Sequence, residues 1–219
     1  MLEGLQLFDD REERSAALNM AVDEALLADC VAPVLRFYRW QRPSLSFGYF
    51  GRYAEVATES DGRDLVRRWT GGGIVPHGAD VTYSLIVPRG HSFFERSSVE
   101  IYAAVHDAIR RAFKVNGIDA VLANGAAPKV SEVCFANAVR ADVISGGEKI
   151  AGAAHRRTRS GLLHQGSIQR KDLPERFRED FASILDHEFE GMAPTSELNE
   201  RAAEIAENKY ATNEWLTRW

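Results

Sequence analysis

Cysteine is nearly absent from this chain: only Cys30 and Cys134 occur in 219 residues, far apart. That scarcity excludes a disulfide scaffold and points to a reducing compartment. No Cys and His residues fall at zinc-binding spacing, so no structural or catalytic metal is expected. No apolar run approaches the length of a membrane span. The opening Met1-Leu2-Glu3-Gly4-Leu5 lacks the basic-then-apolar layout of a secretory signal, so a cytoplasmic location is expected. Positive charge is not in excess either. Lys and Arg number 27 against 32 Asp and Glu, a net charge of −5, which gives nucleic-acid binding little electrostatic support. Repeats, low-complexity tracts and linker-like Pro/Gly/Ser stretches are missing too. The length suits one domain with a sizeable core, and a hydrophobic content of 45% is ordinary for a globular protein.

Glycine, by contrast, is concentrated. The stretch Arg67-Arg68-Trp69-Thr70-Gly71-Gly72-Gly73-Ile74-Val75-Pro76-His77 runs on through Asp80 to Tyr83-Ser84. Glycines let backbone approach a ligand closely. Exposed amides in such a turn can cradle an anion or a developing oxyanion, and the arginines add charge in fork geometry. The alternative is a plain glycine hairpin with solvated arginines; the flanking His77 and Tyr83-Ser84 favour a ligand-binding loop. A second stretch, Gly146-Gly147-Glu148-Lys149-Ile150-Ala151-Gly152-Ala153-Ala154-His155-Arg156-Arg157, places a lysine at the start of a run of small residues. Small side chains on a strand leave room for something to lie against the backbone.

Hydrophobic periodicity predicts the frame around these stretches. Helices are expected over Ser15 to Cys30, with Ser15 as N-cap, and over Ser98 to Val115, ended by Asn116-Gly117. Two closing helices are expected over Leu173 to Asp186 and Ser196 to Asn208. Strands are expected over Val34 to Trp40, Ser44 to Phe50, Ile118 to Leu122 and Leu162 to Gln169. Leu65 to Trp69 and Val81 to Val87 read as a pair flanking the glycine loop. Ala141 to Ser145 and Lys149 to Ala154 read as a hairpin about Gly146-Gly147. Strands fill the middle and helices flank them without regular βαβ alternation. The expected fold is a single α+β domain with a mixed, mostly antiparallel sheet, and not a doubly wound nucleotide fold.

The segments "RRWTGGGIVPHGADVTYS" (67–84), "GGEKIAGAAHRR" (146–157) and "LLHQGSI" (162–168), with the helix "NMAVDEALL" (19–27), resemble the lipoate-protein ligases and octanoyl or lipoyl transferases, more distant relatives of biotin-protein ligases. The glycine–arginine signature of biotin ligases is not found. The resemblance implies a biotin/lipoate ligase-like catalytic domain with a seven-stranded type of sheet and an acyl chain in a tunnel between sheet and glycine loop. It implies that Lys149 contacts the acyl carbonyl or acyl-adenylate. Arg67, Arg68, Gly71, Gly72, Gly73, His77, Tyr83, Gly152, Ala153 and His155 are then the expected substrate-binding residues. Two departures stand out: His155 replaces a common glutamine, and Glu148 replaces a basic residue.

The resemblance covers two chemistries. Ligases activate lipoate with ATP and Mg and pass it to a lysine. Transferases need no tightly bound cofactor and take octanoate from acyl carrier protein through a cysteine thioester. Cys134, in "SEVCFANAVRADVIS", resembles the nucleophile position of one transferase class, with Lys149 as its cation; otherwise it is a small buried hydrophobe beside Phe135. Cys30 reads as core. The chain stops shortly after its second closing helix, so residues 1–219 are expected to form the catalytic domain without the ligase accessory domain, which a separate subunit could supply.

The transferase reading therefore comes first. Cys134 attacks the thioester, with Lys149 and amides near Gly72, Gly73 and Gly152 stabilising the oxyanion. A lipoyl-domain lysine then takes the acyl group, with Lys149 or His77 helping remove its proton. An ATP-dependent ligase is the alternative. A non-catalytic protein that binds lipoyl domains is the third reading. Expected partners are acyl carrier protein and the lipoyl domains of 2-oxoacid dehydrogenases or glycine cleavage H protein. His155, Arg156, Arg157 and Arg159 form either a solvated basic cluster or a docking patch for acidic partners. Trp215 and Trp219 are expected to cap the fold or a partner surface rather than touch substrate.

Overall fold

The computed structural model describes residues 2–125 and 138–218. In chain order the elements are β1 (Gln6–Arg14), α1 (Ala16–Asp29), β2 (Val34–Trp40), β3 (Ser44–Phe47), α2 (Tyr53–Ala57), β4 (Asp64–Arg67), β5 (Val75–His77), β6 (Val81–Pro88), α3 (Ser98–Val115), β7 (Val121–Leu122), β8 (Val143–Ser145), β9 (Glu148–Arg157), β10 (Gly161–Ile168), α4 (Phe177–Leu185), β11 (Glu190–Gly191), α5 (Ser196–Ile205) and α6 (Asn213–Leu216). The main sheet has eight strands in the order β11-β1-β2-β6-β10-β9-β8-β7. Only the pairs of β1 with β11 and with β2 are parallel; the remaining pairs are antiparallel. Among the described residues the sheet has eight strands where the resemblance implied a seven-stranded type, and its outermost strands, β7 and β11, are two residues each.

Two hydrophobic layers sandwich this sheet. On β2, Leu35 and Phe37 point to one face while Val34, Tyr38 and Trp40 point to the other. The first face packs with Ile101, Val105, Ile109 and Phe113 of α3 and Phe177, Phe181 and Leu185 of α4. The second packs with Met20, Val22, Ala25 and Leu26 of α1 and Leu198 and Ala202 of α5. Strands β2, β6 and β10, covered on both faces, are buried along nearly their whole length rather than at alternate residues, and their inward polar groups such as Arg36, Ser84 and Gln165 are hydrogen-bonded. Helix α3 forms as its pattern requires: Ser97 and Glu100 close a reciprocal capping box, and Gly117 follows its end at φ 73°.

The glycine loop departs from the expected hairpin. Strands β4 and β6 are not partners. β4 belongs to a separate three-stranded sheet, β4-β3-β5, whereas β6 lies between β2 and β10 of the main sheet. The loop between β4 and β5 therefore crosses from one side of β3 to the other. It lies directly on the backbone at the end of β3. Tyr49 N–H donates to Thr70 O at 2.8 Å, and a Cβ at Gly48 would stand 2.0 Å from Gly72 O. This contact ends β3 at Phe47, where the sequence suggested Phe50.

The sequence pattern did not announce β1. Its segment QLFDDREER is mostly charged, yet Asp10 and Arg14 are buried. They belong to a network around the fully buried Arg36, whose guanidinium meets Asp10 Oδ2 at 2.7 Å, Asp23 Oδ1 at 2.8 Å and Asn19 Oδ1 at 2.9 Å. Charge placed inward on β1 is thus matched by charge inward on β2 and α1, as a buried ion must be.

Candidate active site

A cleft opens between the glycine loop, strand β3 and the small-residue run of β9. It is narrow, with a free interior of about 30 Å³. Gly72 and Arg68 form one wall; Gly152, Ala153 and Ala154 form the other; Met20 and Gln165 also line it. The two expected stretches therefore face each other. At its closest the glycine loop nearly touches β9, since a Cβ on Gly72 would lie 3.5 Å from Ala154 Cβ.

Lys149 stands at the start of the β9 wall. Its side chain is 4% exposed and its Nζ lies 2.9 Å from Asp142 Oδ2. The aliphatic chain crosses the backbone of Gly152, where a Cβ would meet Cε at 2.5 Å and Nζ at 2.8 Å. Glycine at position 152 leaves the space in which the Lys149 side chain lies against the β9 backbone. Asp142 is itself fixed: Tyr102 donates its hydroxyl at 2.5 Å and Val139 N–H at 2.6 Å. Burial first, then the Asp142 charge, pushes the Tyr102 hydroxyl well above its ordinary range, so it remains a donor. Asp142 lies seven residues before Lys149 and carried no motif of its own in the sequence; only the β8–β9 hairpin brings the two together.

The opposite wall holds a chain of polar groups. Arg68 Nη2 donates to Gly71 O at 3.0 Å and Gly73 O at 2.9 Å, so this arginine shapes the glycine loop from inside. Its Nη1 donates to Ser46 Oγ at 2.7 Å. Ser46 Oγ is 2.6 Å from His77 Nε2, and His77 Nδ1 is 2.8 Å from Asp80 Oδ2. Asp80 also accepts from Ser167 Oγ at 2.6 Å and Thr82 Oγ1 at 2.9 Å. Burial alone would raise the Asp80 carboxyl. The His77 charge and the hydrogen bonds of His77, Ser167 and Thr82 together outweigh it and hold the carboxyl below the ordinary range.

Other expected site residues lie elsewhere. Arg67 is fully buried, and its guanidinium is committed to backbone carbonyls: Trp215 O at 2.9 Å, Leu216 O at 2.8 Å, Tyr49 O at 2.8 Å and Gly51 O at 2.7 Å. It clamps the C-terminal turn to β3 rather than lining the cleft. Tyr83 is a core residue whose ring occupies the space a side chain at Gly166 would need. His155 stacks on His164 at 5.9 Å behind β9, its basicity lowered first by burial and then by Arg157. Arg156 and Arg157 diverge, so they form no single patch. Arg156 lies over the Tyr49 and Trp69 rings at 4.8 and 5.1 Å, whereas Arg157 donates to Phe94 O at 2.5 Å and caps that turn. Trp215 caps the fold as expected, donating Nε1–H to Arg67 O at 3.0 Å. Cys30 is half-buried at the end of α1, and burial pushes its thiol up to about 11. Cys134 and Trp219 lie outside the described residues. Among the described residues no His, Cys, Asp and Glu cluster fits a metal ion, and no helix is long and apolar enough to cross a membrane.

Residues 15–208, from the cap of α1 to beyond α5, match the lipoyl protein ligase A/B catalytic domain. The chain belongs to that family. Within it, the octanoyltransferase LipM of Oceanobacillus iheyensis is 31% identical over 94% of this chain and 94% of its own length. The LipM of Geobacillus kaustophilus is 34% identical over 89% of this chain and 79% of its own length. Among solved structures, a lipoate-protein ligase A bound with ATP superposes with TM-score 0.75 at 22% identity, covering 97% of this chain and 98% of the other. A bi-partite lipoate protein ligase from Thermoplasma acidophilum, studied with its E2 lipoyl domain, gives TM-score 0.70 at 22% identity, covering 100% and 98%. These structural likenesses establish the lipoyl ligase-type catalytic fold for this family member.

Proposed function

We propose that the protein is an acyltransferase that moves an octanoyl or lipoyl group onto a lysine of a lipoyl domain. The observation that carries this is the Lys149 ammonium, buried on Asp142 and laid across Gly152 at the wall of the cleft facing Gly72. A fixed cation beside a narrow wall of small residues suits an acyl carbonyl at the cleft mouth and an alkyl chain within. In this reading the Cys134 thiolate attacks the acyl thioester, the carbon–sulfur bond to the carrier breaks, and the carrier leaves as its thiol. The neutral amine of the acceptor lysine then attacks the Cys134 thioester, forming the amide and releasing the Cys134 thiol. Lys149 stabilises both oxyanions, and one such donor is worth roughly 3 kcal/mol. Arg68, Gly72, His77, Gly152 and Ala153 shape the acyl pocket.

Relatives that share 31% and 34% identity over most of this chain carry the name octanoyltransferase, which supports transfer without ATP. ATP-dependent ligation is the second reading, favoured by the fold shared with a ligase bound with ATP. Acceptors carrying a lipoyl domain fit either reading; acyl carrier protein as donor, and a cytoplasmic site of action, belong to the first. Intact-mass spectrometry after incubation with octanoyl carrier protein tests the proposal. The expected result is one octanoyl group at Cys134 that an added lipoyl domain discharges. Pyrophosphate release with lipoate and ATP, and no acyl-enzyme, would instead establish the ligase.

A further inference from the structure

The cleft contains a second reactive arrangement that this transfer scheme leaves unused. Ser46, His77 and Asp80 are linked by hydrogen bonds of 2.6 Å from Ser46 Oγ to His77 Nε2 and 2.8 Å from His77 Nδ1 to Asp80 Oδ2. In the neutral tautomer with the proton on Nδ1, facing the carboxylate, Nε2 accepts from the serine hydroxyl. A nucleophile, a base and a carboxylate that orients the base are recognised by these roles and distances, not by chain order.

Three features hold the arrangement ready. The imidazole is stacked on Trp40, 4.1 Å between centroids and 17° from parallel, and the Trp40 indole N–H donates to Thr82 Oγ1 at 2.8 Å. The ring is therefore fixed on one face as well as at both nitrogens. Asp80 accepts from Ser167, Thr82 and the Gly78 amide, so its charge is stabilised where water cannot reach it. Arg68 places Nη1 at 2.7 Å from Ser46 Oγ. A guanidinium there favours negative charge on the serine oxygen and on a tetrahedral oxygen formed beside it. A network serving only to brace β5 would need Asp80 and His77. Ser46 gives the buried His77 Nε2 its partner, and the same hydroxyl lines the cleft between that base and the Arg68 cation.

We propose that Ser46, His77 and Asp80 form a nucleophilic triad that hydrolyses medium-chain acyl thioesters bound in the cleft, independently of Cys134. The substrate class rests on the acyl-thioester reading of the cleft; the nucleophile does not. Ser46 Oγ bonds to the acyl carbon as the carbon–sulfur bond breaks. The serine proton passes to His77 Nε2 and then to the leaving sulfur. Water attacks the resulting ester, giving a proton to His77; the carbon–Oγ bond breaks and Ser46 recovers that proton. The balance is thioester plus water to free acid plus thiol. Such a step would clear an acyl chain from a cleft that no acceptor has reached.

The test uses the full chain carrying Cys134→Ala. Thiol release from octanoyl-N-acetylcysteamine is measured, and the same protein is exposed to a fluorophosphonate, which bonds to activated serines with loss of fluoride. Cys134→Ala should release thiol at least ~100-fold faster than Cys134→Ala/Ser46→Ala, the order expected for losing a serine nucleophile. Peptide mass spectrometry should place the phosphonate on Ser46, and Asp80→Asn should slow that labelling. Labelling needs no change at Ser46, so it stands even if the double variant melts early. Absence of label on Ser46, or equal thiol release by single and double variants, would overturn the triad. Transfer of octanoate to a lipoyl domain by the unaltered chain is measured alongside. Its failure with Ser46 labelled and thiol released would refute only the Cys134 scheme; the converse would refute only the triad.

Discussion

Substituting Gly48 by alanine puts the geometry of the glycine loop under direct test. A Cβ at this position would stand 2.0 Å from Gly72 O and 2.7 Å from Gly71 C. Both are backbone atoms, so no side-chain rotation relieves the clash. Restoring an ordinary contact of 3.4 Å to Gly72 O requires the loop to retreat by roughly 1.4 Å. That retreat moves Gly72 toward Ala154, across the gap an acyl chain is proposed to occupy, and it strains the Tyr49–Thr70 backbone bond of 2.8 Å. Overpacking of this kind costs about 1–3 kcal/mol, and Tm falls by about 2–4 °C for each kcal/mol in a chain of this size. A displacement near 1 Å at a reacting centre costs on the order of a hundredfold in rate. Gly48→Ala should therefore lose about two orders of magnitude in octanoyl transfer while remaining folded. Stopped-time transfer assays paired with thermal melts measure both. A variant with unchanged transfer and unchanged Tm would show that the loop does not rest on β3 as described.

Other expectations can be checked with single substitutions. Asp142→Asn removes a counter-charge from a lysine that is 4% exposed, and a loss of up to about 3–5 kcal/mol is expected for breaking a buried pair from one side. Adding Lys149→Met should restore much of that stability, measured by urea midpoint, without restoring transfer. Arg36→Ala removes the guanidinium shared by the buried Asp10 and Asp23; Asp10 keeps Arg14 but Asp23 keeps no cation, and a loss approaching about 3–5 kcal/mol should appear in the same assay. The buried His106 has its basicity lowered from 6.5 to about 4, chiefly by burial. Its unfolded form gains a proton below pH 6.5 that the folded form refuses until about pH 4. Stability is thus complete above pH 6.5 and falls as pH drops toward 4, by roughly 2 kcal/mol between pH 7 and 5 from this group. His164, lowered by burial and by His106 and His155, adds to the same slope. Urea midpoints of the unaltered chain and His106→Leu at the two pH values measure this; an identical pH dependence would refute it.

Local pattern went far because much of this fold obeys local rules. The helix from Ser98 to Val115 appears with the boundaries its periodicity predicts, since Ser97 caps it and Asn116-Gly117 ends it. The Gly146-Gly147 turn forms with φ of 59° and 85°, as a tight hairpin needs. Other parts resisted the same reasoning. Strand β1 is hidden by its charges, because a buried carboxylate is legible only once its arginine on β2 is known. The strands around the glycine loop looked like partners because they are neighbours in sequence, yet β3 and β10 compete for them and win.

The site divides in the same way. Backbone chemistry written into consecutive residues already specified a close-approach glycine loop and a lysine opening a strand of small residues; the tunnel between them was implied by the family resemblance. It also identified the family through the order of those segments. What it could not contain was the pairing of side chains distant along the chain. Lys149 meets Asp142 and Tyr102, Arg68 meets Ser46, and Asp80 meets Ser167 only after the sheet has formed. Arg67 and Arg68 show the limit most plainly. They are adjacent and chemically identical, but strand alternation turns one toward the C-terminal carbonyls and the other into the cleft. Residue type and spacing are local quantities; the direction a charge faces, and what neutralises it, are set by packing between layers.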